Sequence, residues 1–319
     1  MTVCPTFKEL RAAAEELSTA AVSGVSGALR ISSGRSGPCL GVSVCTHGNE
    51  PAGLAVVWWS LFERALAERL RCGEVVFVLN SPQATFDYFS GNKNARFVDV
   101  NMNRLDNEML DVDSEHYEVR RLRELLPLVQ QFQVALDIHT TSIPTEPMIV
   151  EVSETPRQLY AGLPYARIVS GISEIQVGVP VGYFYGGYGR SIPCFEIEAG
   201  QHEAQESFVR AIESFIGLME NLGMIERPAE REEKRAAEPF EEYEIASSIM
   251  FPDDSYELVR DFENFGPIAR GECLATGSGA PICAPSDGHT LFASASRRPA
   301  SLAEEALFLT HPRRLVMPV

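Results

Sequence analysis

The sequence is short of several things, and each shortage excludes something. Its seven cysteines lie scattered at 4, 39, 45, 72, 194, 273 and 283, an odd number with no C-x-x-C pair. That distribution argues against a disulfide framework and for reduced thiols in the cytoplasm. Cys45 and Cys194 stand inside apolar runs and read as core fillers rather than nucleophiles. Positive charge is scarce: 27 Lys and Arg against 44 Asp and Glu give a formal net charge of -17. A phosphate backbone would be repelled, so nucleic acid is not an expected partner. Small anionic substrates stay open, because a few arginines can reverse the field inside a cleft. No apolar window approaches the ~20 residues of a membrane span, and no membrane association is expected. The early stretch FKELRAAAEEL is an amphipathic helix pattern without the apolar segment of a signal peptide. Repeats and low-complexity tracts are absent too.

What the chain does have is an ordinary globular balance, 45% hydrophobic and 22% charged over 319 residues. That length is long for one domain and comfortable for two. Over residues 1–225, short β-branched runs (GALRIS, CLGVSVCT, EVVFVLN, FVDVN, VALDIHT, PMIVEV, ARIVSG and PCFEIEAG) alternate with helical stretches at 52–70, 114–130, 155–162 and 202–223. Alternation of this kind predicts an α/β domain with a parallel or mixed sheet flanked by helices. Residues 226–244, ERPAEREEKRAAEPFEEYE, carry dense charge and two prolines and read as a linker. From 245 to 319 short strands and Gly-rich turns predict a small all-β domain.

One run ends in an unusual way. GVSVCTHGNEPAG, residues 41–53, passes from buried-strand residues to His47, Gly48, Asn49 and Glu50. Zinc takes imidazole nitrogen and carboxylate oxygen, and a hydrolytic site keeps three protein ligands and one open position. His47 and Glu50 can supply two ligands from one turn, with Gly48 allowing the sharp bend. A third should come from the end of another strand, where sites open in α/β sheets. VALDIHTT offers His139, with Asp137 on the same strand face as a partner for a ligand histidine. Glu196 and Glu198 in CFEIEAG also share a face, about 6.6 Å apart, and Glu198 lies nearer the strand's carboxyl end.

The blocks HGNE, VDVNMNR, DIHTT and FEIEAG resemble, in order and spacing, those of the succinylglutamate desuccinylase/aspartoacylase family, a branch of the zinc carboxypeptidase fold. APSDGHTLF and AEEALFL extend the likeness into the C-terminal part. The resemblance implies a zinc-carboxypeptidase-like mixed sheet with a small C-terminal β domain, and one zinc per chain. It implies hydrolysis of the amide of a small anionic N-acyl amino acid. It makes His47, Glu50 and His139 the metal ligands. It assigns Arg96 to the scissile carbonyl and oxyanion, and Asn103 and Arg104 to the α-carboxylate. Glu198 becomes the general base, and Arg190 a looser match to a second substrate arginine. Glu196 then falls to pairing with an arginine or orienting the site. Tyr183, Tyr185 and Tyr188 are either pocket lining or packing, and His116, His202, His289 and His311 match no motif and are expected to be structural or surface residues.

One departure concerns specificity. Mammalian-type aspartoacylases place a substrate-contacting tyrosine where this chain has Leu307 and Phe308. A succinylated or otherwise acylated amino acid therefore fits at least as well as N-acetylaspartate. Two further readings stand beside this one: a zinc peptidase acting on short peptides or cell-wall fragments, and a non-catalytic zinc-containing binding module. The expected setting is cytoplasmic, and a homo-oligomer is compatible with the sequence.

Overall fold

The structure is a computed structural model that describes residues 4–63, 65–105, 114–176, 192–229, 240–293 and 304–313. It opens with the helix Phe7–Thr19, closed at its start by a capping box between Thr6 and Glu9. That helix buries Leu10, Ala13, Ala14 and Leu17, one helical stripe.

The strands follow in chain order. A short hairpin, β1 (Ala21–Val22) and β2 (Val25–Ser26), precedes β3 (Ala28–Ser32), β4 (Cys39–Val44), β5 (Glu74–Leu79), β6 (Val134–Thr141), β7 (Met148–Glu151), β8 (Arg167–Ser170) and β9 (Cys194–Gln201). Beyond these come β10 (Glu241–Ile249), β11 (Glu257–Leu258), β12 (Pro267–Ile268), β13 (Cys273–Thr276), β14 (Ile282–Cys283), β15 (Gly288–Leu291) and β16 (Leu307–Pro312). One mixed sheet runs β12-β15-β16-β10-β8-β7-β9-β6-β4-β5-β3, and β11, β13 and β14 form a small second one. The α/β class with flanking helices is therefore what the sequence pattern predicts.

Strands β4 and β6 are buried at every position, because helices cover both faces. On one face Leu40, Val42, Leu136 and Ile138 pack with the helices Phe7–Thr19, Ala52–Trp58 and Gln205–Asn221. On the other, Cys39, Ala135 and Cys194 pack with the helix Tyr117–Val129 and Phe132. Strands β5, β4, β6 and β9 are successive parallel neighbours, so their carboxyl ends open on one edge.

The charged stretch 226–244 ends in the sheet itself: β10 pairs in parallel with β8 and antiparallel with β16. The C-terminal strands β10, β12, β15 and β16 thus extend the main sheet, while Phe251, Tyr256, Leu258 and Leu274 belong to a separate C-terminal core. No helix among the described residues is long and apolar enough to cross a membrane.

Two local expectations differ. FVDVN is not a strand. The N–H groups of Val98, Asp99 and Val100 all donate to the carboxylate of Glu118, at 2.7, 3.1 and 3.1 Å. A buried side chain takes the bonds that a neighbouring strand would have taken. The helical stretch at 155–162 shrinks to one 3₁₀ turn, Arg157–Leu159, since Pro156 restricts the residue before it and lacks an N–H.

Candidate active site

The carboxyl end of β4 delivers the first two candidate ligands. Cys45, just past the strand, adopts a left-handed φ of 51°, which turns the chain abruptly. His47 and Glu50 follow, both buried. Gly48 is required here for proximity rather than for an unusual φ: a Cβ would come 2.3 Å from the carbonyl carbon of Ala84. Strand β6 delivers His139 beside them, at a ring-centroid separation of 5.3 Å from His47. Candidate ligand atoms of His47, Glu50 and His139 all lie within 4.8 Å of one another.

The Glu50 carboxylate sits between the two imidazoles. Its Oε1 is 2.8 Å from His47 Nδ1, and its Oε2 is 3.0 Å from His139 Nδ1. The far nitrogens face acceptors: His47 Nε2 lies 2.9 Å from Asn101 Oδ1, and His139 Nε2 lies 2.9 Å from Asp137 Oδ2. Those acceptors place a proton on each Nε2 and turn both Nδ1 atoms toward the Glu50 carboxylate. At His47 a lone pair and an anion 2.8 Å apart need a positive charge between them. Burial, aided by Arg96, pushes the His47 pKa down to about 4, so a proton does not supply that charge at His47 near neutrality. Burial works against ionisation of Glu50, yet the two histidines hold its carboxyl well below the usual range. His139 is the opposite case: burial is outweighed by Asp137 and Glu50, which raise it. Two nitrogens and a carboxylate converging in this way fit a divalent metal of the zinc type.

Asp137 is itself fixed. Ser43 Oγ donates to it at 2.6 Å and Thr46 Oγ1 at 3.0 Å, and Asn80 Nδ2 donates to both hydroxyls at 2.7 Å. The expected pairing of Asp137 with a histidine is therefore part of a larger buried network.

Around this centre lies a cavity of about 540 Å³, lined among others by Arg96, Asn103, Arg104, Glu196, Glu198 and His202. Arg96 Nη1 donates to Glu50 Oε1 at 2.9 Å. Arg104 is already gripped on one edge, with Nε and Nη2 each 2.8 Å from Glu305 Oε2. Its Nη1 donates to the Asn103 carbonyl at 2.9 Å, which leaves part of the guanidinium fork for a ligand. Strand register sets Glu198 beside His139 and Glu196 beside Asp137. Glu196 is the deeper of the two, and no hydrogen-bond partner meets its buried Oε1 among the described residues. Burial, with Asp137 adding to it, pushes the Glu196 carboxyl up to about 7.

Arg190 and the tyrosines at 183, 185 and 188 lie outside the described residues. His202, expected to be structural or superficial, instead lines the cavity, its Nδ1 2.8 Å from Thr140 Oγ1. Glu304 and Glu305 were not anticipated at all. Both enter the cavity wall from the segment before β16. No local pattern in AEEALFL announces this, because it depends on β16 pairing beside β10.

Residues 36–173 match the family model of the succinylglutamate desuccinylase/aspartoacylase catalytic domain. A search of curated protein sequences returns no match. Among solved structures, the chain is similar to succinylglutamate desuccinylase from Vibrio parahaemolyticus, at 16% identity and TM-score 0.67 over 90% of this chain and 86% of the other. It is similar to succinylglutamate desuccinylase from Chromobacterium violaceum, at 19% identity and TM-score 0.66 over 96% and 98%. Murine aminoacylase 3 aligns at 20% identity and TM-score 0.63 over 89% and 98%. These likenesses establish the shared fold. His47, Glu50, Arg96, Asn103, Arg104 and His139 all fall inside the segment that matches the model of the succinylglutamate desuccinylase/aspartoacylase catalytic domain.

Proposed function

We propose that the protein is a zinc-dependent hydrolase of the amide bond in small N-acyl amino acids. The observation that carries this reading is the convergence of His47 Nδ1, His139 Nδ1 and the Glu50 carboxylate on one point at the wall of a cavity. Zinc held by these three residues would supply a Lewis acid and lower the pKa of a bound water.

The chain's own groups supply the rest. Glu198 borders the cavity near His139. It would take a proton from the attacking water and return it to the leaving amine. Arg96 reaches the same edge of Glu50 and would face the oxyanion as the carbonyl becomes tetrahedral, where a fixed cation in a dry site is worth several kcal/mol of barrier. Asn103 and the free part of Arg104 would receive the α-carboxylate. Arg190 would join them on the substrate side. Glu305 positions Arg104 by holding two of its donors.

The cavity also bears on the peptidase alternative. Glu304, Glu305, Leu307 and Phe308 from the C-terminal strands form part of its wall. A wall on that side suits a short acylated amino acid better than a long peptide. Release of primary amine from N-succinyl, N-acetyl and N-formyl amino acids, set beside a dipeptide panel, tests the proposal. Turnover confined to dipeptides would replace it with the peptidase reading, and no turnover of either class would favour a binding module.

A further inference from the structure

The C-terminal segment reaches the candidate metal site through the side-chain amide of Asn101. Glu304 Oε1 lies 2.7 Å from Asn101 Nδ2, across 203 residues of chain. The same amide's Oδ1 lies 2.9 Å from His47 Nε2 and 3.0 Å from the Asn103 N–H. Glu304, Asn101 and His47 are buried, at 5%, 6% and 3% exposure, so water does not substitute for any of these partners.

Donor and acceptor chemistry then fixes every proton along the line. A carboxylate only accepts, so the end of Asn101 that faces Glu304 is its NH2. The end that faces His47 is therefore its carbonyl oxygen. A carbonyl only accepts, so His47 carries a proton on Nε2, and Nδ1 is the nitrogen left for a metal. Nδ1 is the atom that points at Glu50.

We propose that Glu304 is a positioning residue for His47: by holding the Asn101 amide, it keeps the imidazole in the tautomer and orientation that offer Nδ1 to a metal. The proposal rests on the reading of His47 as a ligand, and the line Glu304–Asn101–His47 makes the C-terminal segment part of the catalytic centre. An asparagine at position 101 needs this help where an aspartate would not. Both oxygens of a carboxylate accept, so there is no amide to turn over. With Glu304 absent, the buried Asn101 NH2 loses that acceptor, and only the Asn103 N–H and His47 itself hold the oxygen end. Turning the amide over would set an N–H against His47 Nε2 and favour the imidazole protonated on Nδ1, which cannot bind a metal through the nitrogen that faces Glu50.

The test uses the full chain with ¹⁵N-labelled histidine, before and after chelation, and three forms: wild type, Glu304→Ala, and Glu304→Ala with Asn101→Asp. Long-range ¹H–¹⁵N spectra of the chelated protein read which nitrogen of His47 carries the proton. Competition with a chromophoric chelator reads zinc affinity, and circular dichroism reads the fold. Wild type should show His47 protonated on Nε2. Glu304→Ala should shift toward protonation on Nδ1 and bind zinc about 10-fold or more weakly, the usual size of such outer contacts. Adding Asn101→Asp should restore both readouts, because an aspartate orients His47 without Glu304. A role for Glu304 in packing alone would not be rescued by a change at position 101. Unchanged tautomer and affinity in Glu304→Ala would overturn the proposal, and so would a double variant that stays as weak as the single one. A wild-type protein that takes up no zinc overturns the ligand assignment instead, and the tautomer spectrum of the metal-free chain still decides the relay.

Discussion

Glu118→Gln is the substitution whose cost can be worked most directly from the structure. Glu118 is fully buried and accepts three backbone N–H groups, Val98 on Oε1 and Asp99 and Val100 on Oε2. Glutamine has the same shape but only one accepting end. Whichever way its amide turns, at least one N–H confronts an NH2 group. A lost hydrogen bond to a charged group costs about 1.5–3 kcal/mol, and bonds that survive fall toward the neutral value of about 0.5–1.5 kcal/mol. Val98 to Val100 are not buried, and water recovers part of this loss. The expected destabilisation is therefore about 2 kcal/mol, read as a shifted urea midpoint with an unchanged slope. The held segment lies between Arg96 and Asn101, so its loosening should also lower kcat/KM by about 10-fold. Equal midpoints and equal kinetics for Glu118→Gln and wild type would show that this carboxylate does not organise the segment.

Three further outcomes follow from the same geometry. Glu198→Gln should keep its zinc and its fold but lose about 10²–10⁴ in kcat, whereas Glu196→Gln should act on stability or affinity; the reverse pattern in steady-state kinetics would move the base by two residues. Glu196, pushed up to about 7 by burial, holds in the native state a proton that the unfolded chain releases above the ordinary value of 4.5. Its contribution to the stability of the metal-free protein should thus fall as pH rises from about 4.5 to 7, by up to about 3 kcal/mol; because His47, lowered to about 4, acts in the opposite sense over much of that range, the contribution is read as the difference between wild type and Glu196→Gln in urea titrations at pH 4.5 and 8, and an equal difference at both pH values would refute it. Arg104→Lys should raise KM by about 10-fold or more, because a point charge cannot hold Glu305 and a substrate carboxylate together; neutral amides of the amino acid cleaved as well as the free acid would remove the carboxylate assignment.

The parts of this molecule legible in its sequence are those whose cause is local. The run that becomes β4 and the start of the run that becomes β6 are apolar on both faces because helices cover both faces. His47, Glu50 and His139 interrupt those runs with residues that a core would not choose. Asp137 falls into place by strand alternation alone. The rest depends on contacts between distant segments. FVDVN has a strand's composition, but a glutamate some 20 residues later takes its N–H groups. Glu304 and Glu305 sit in a stretch with no chemical signature of its own and gain their roles from Asn101 and Arg104, about 200 residues earlier. His202 reaches the cavity only because the turn after β9 folds back toward Thr140.

In the proposed mechanism His47, Glu50 and His139 hold one zinc on which amide hydrolysis depends. Metal content of the purified chain, measured together with amine release from its best N-acyl amino acid before chelation, after chelation and after zinc is restored, tests it most directly. Close to one zinc per chain is expected, with activity lost on chelation and regained with zinc, and neither metal nor activity in folded His139→Ala. Full hydrolysis by the metal-free protein, or stoichiometric zinc retained by His139→Ala, would contradict it.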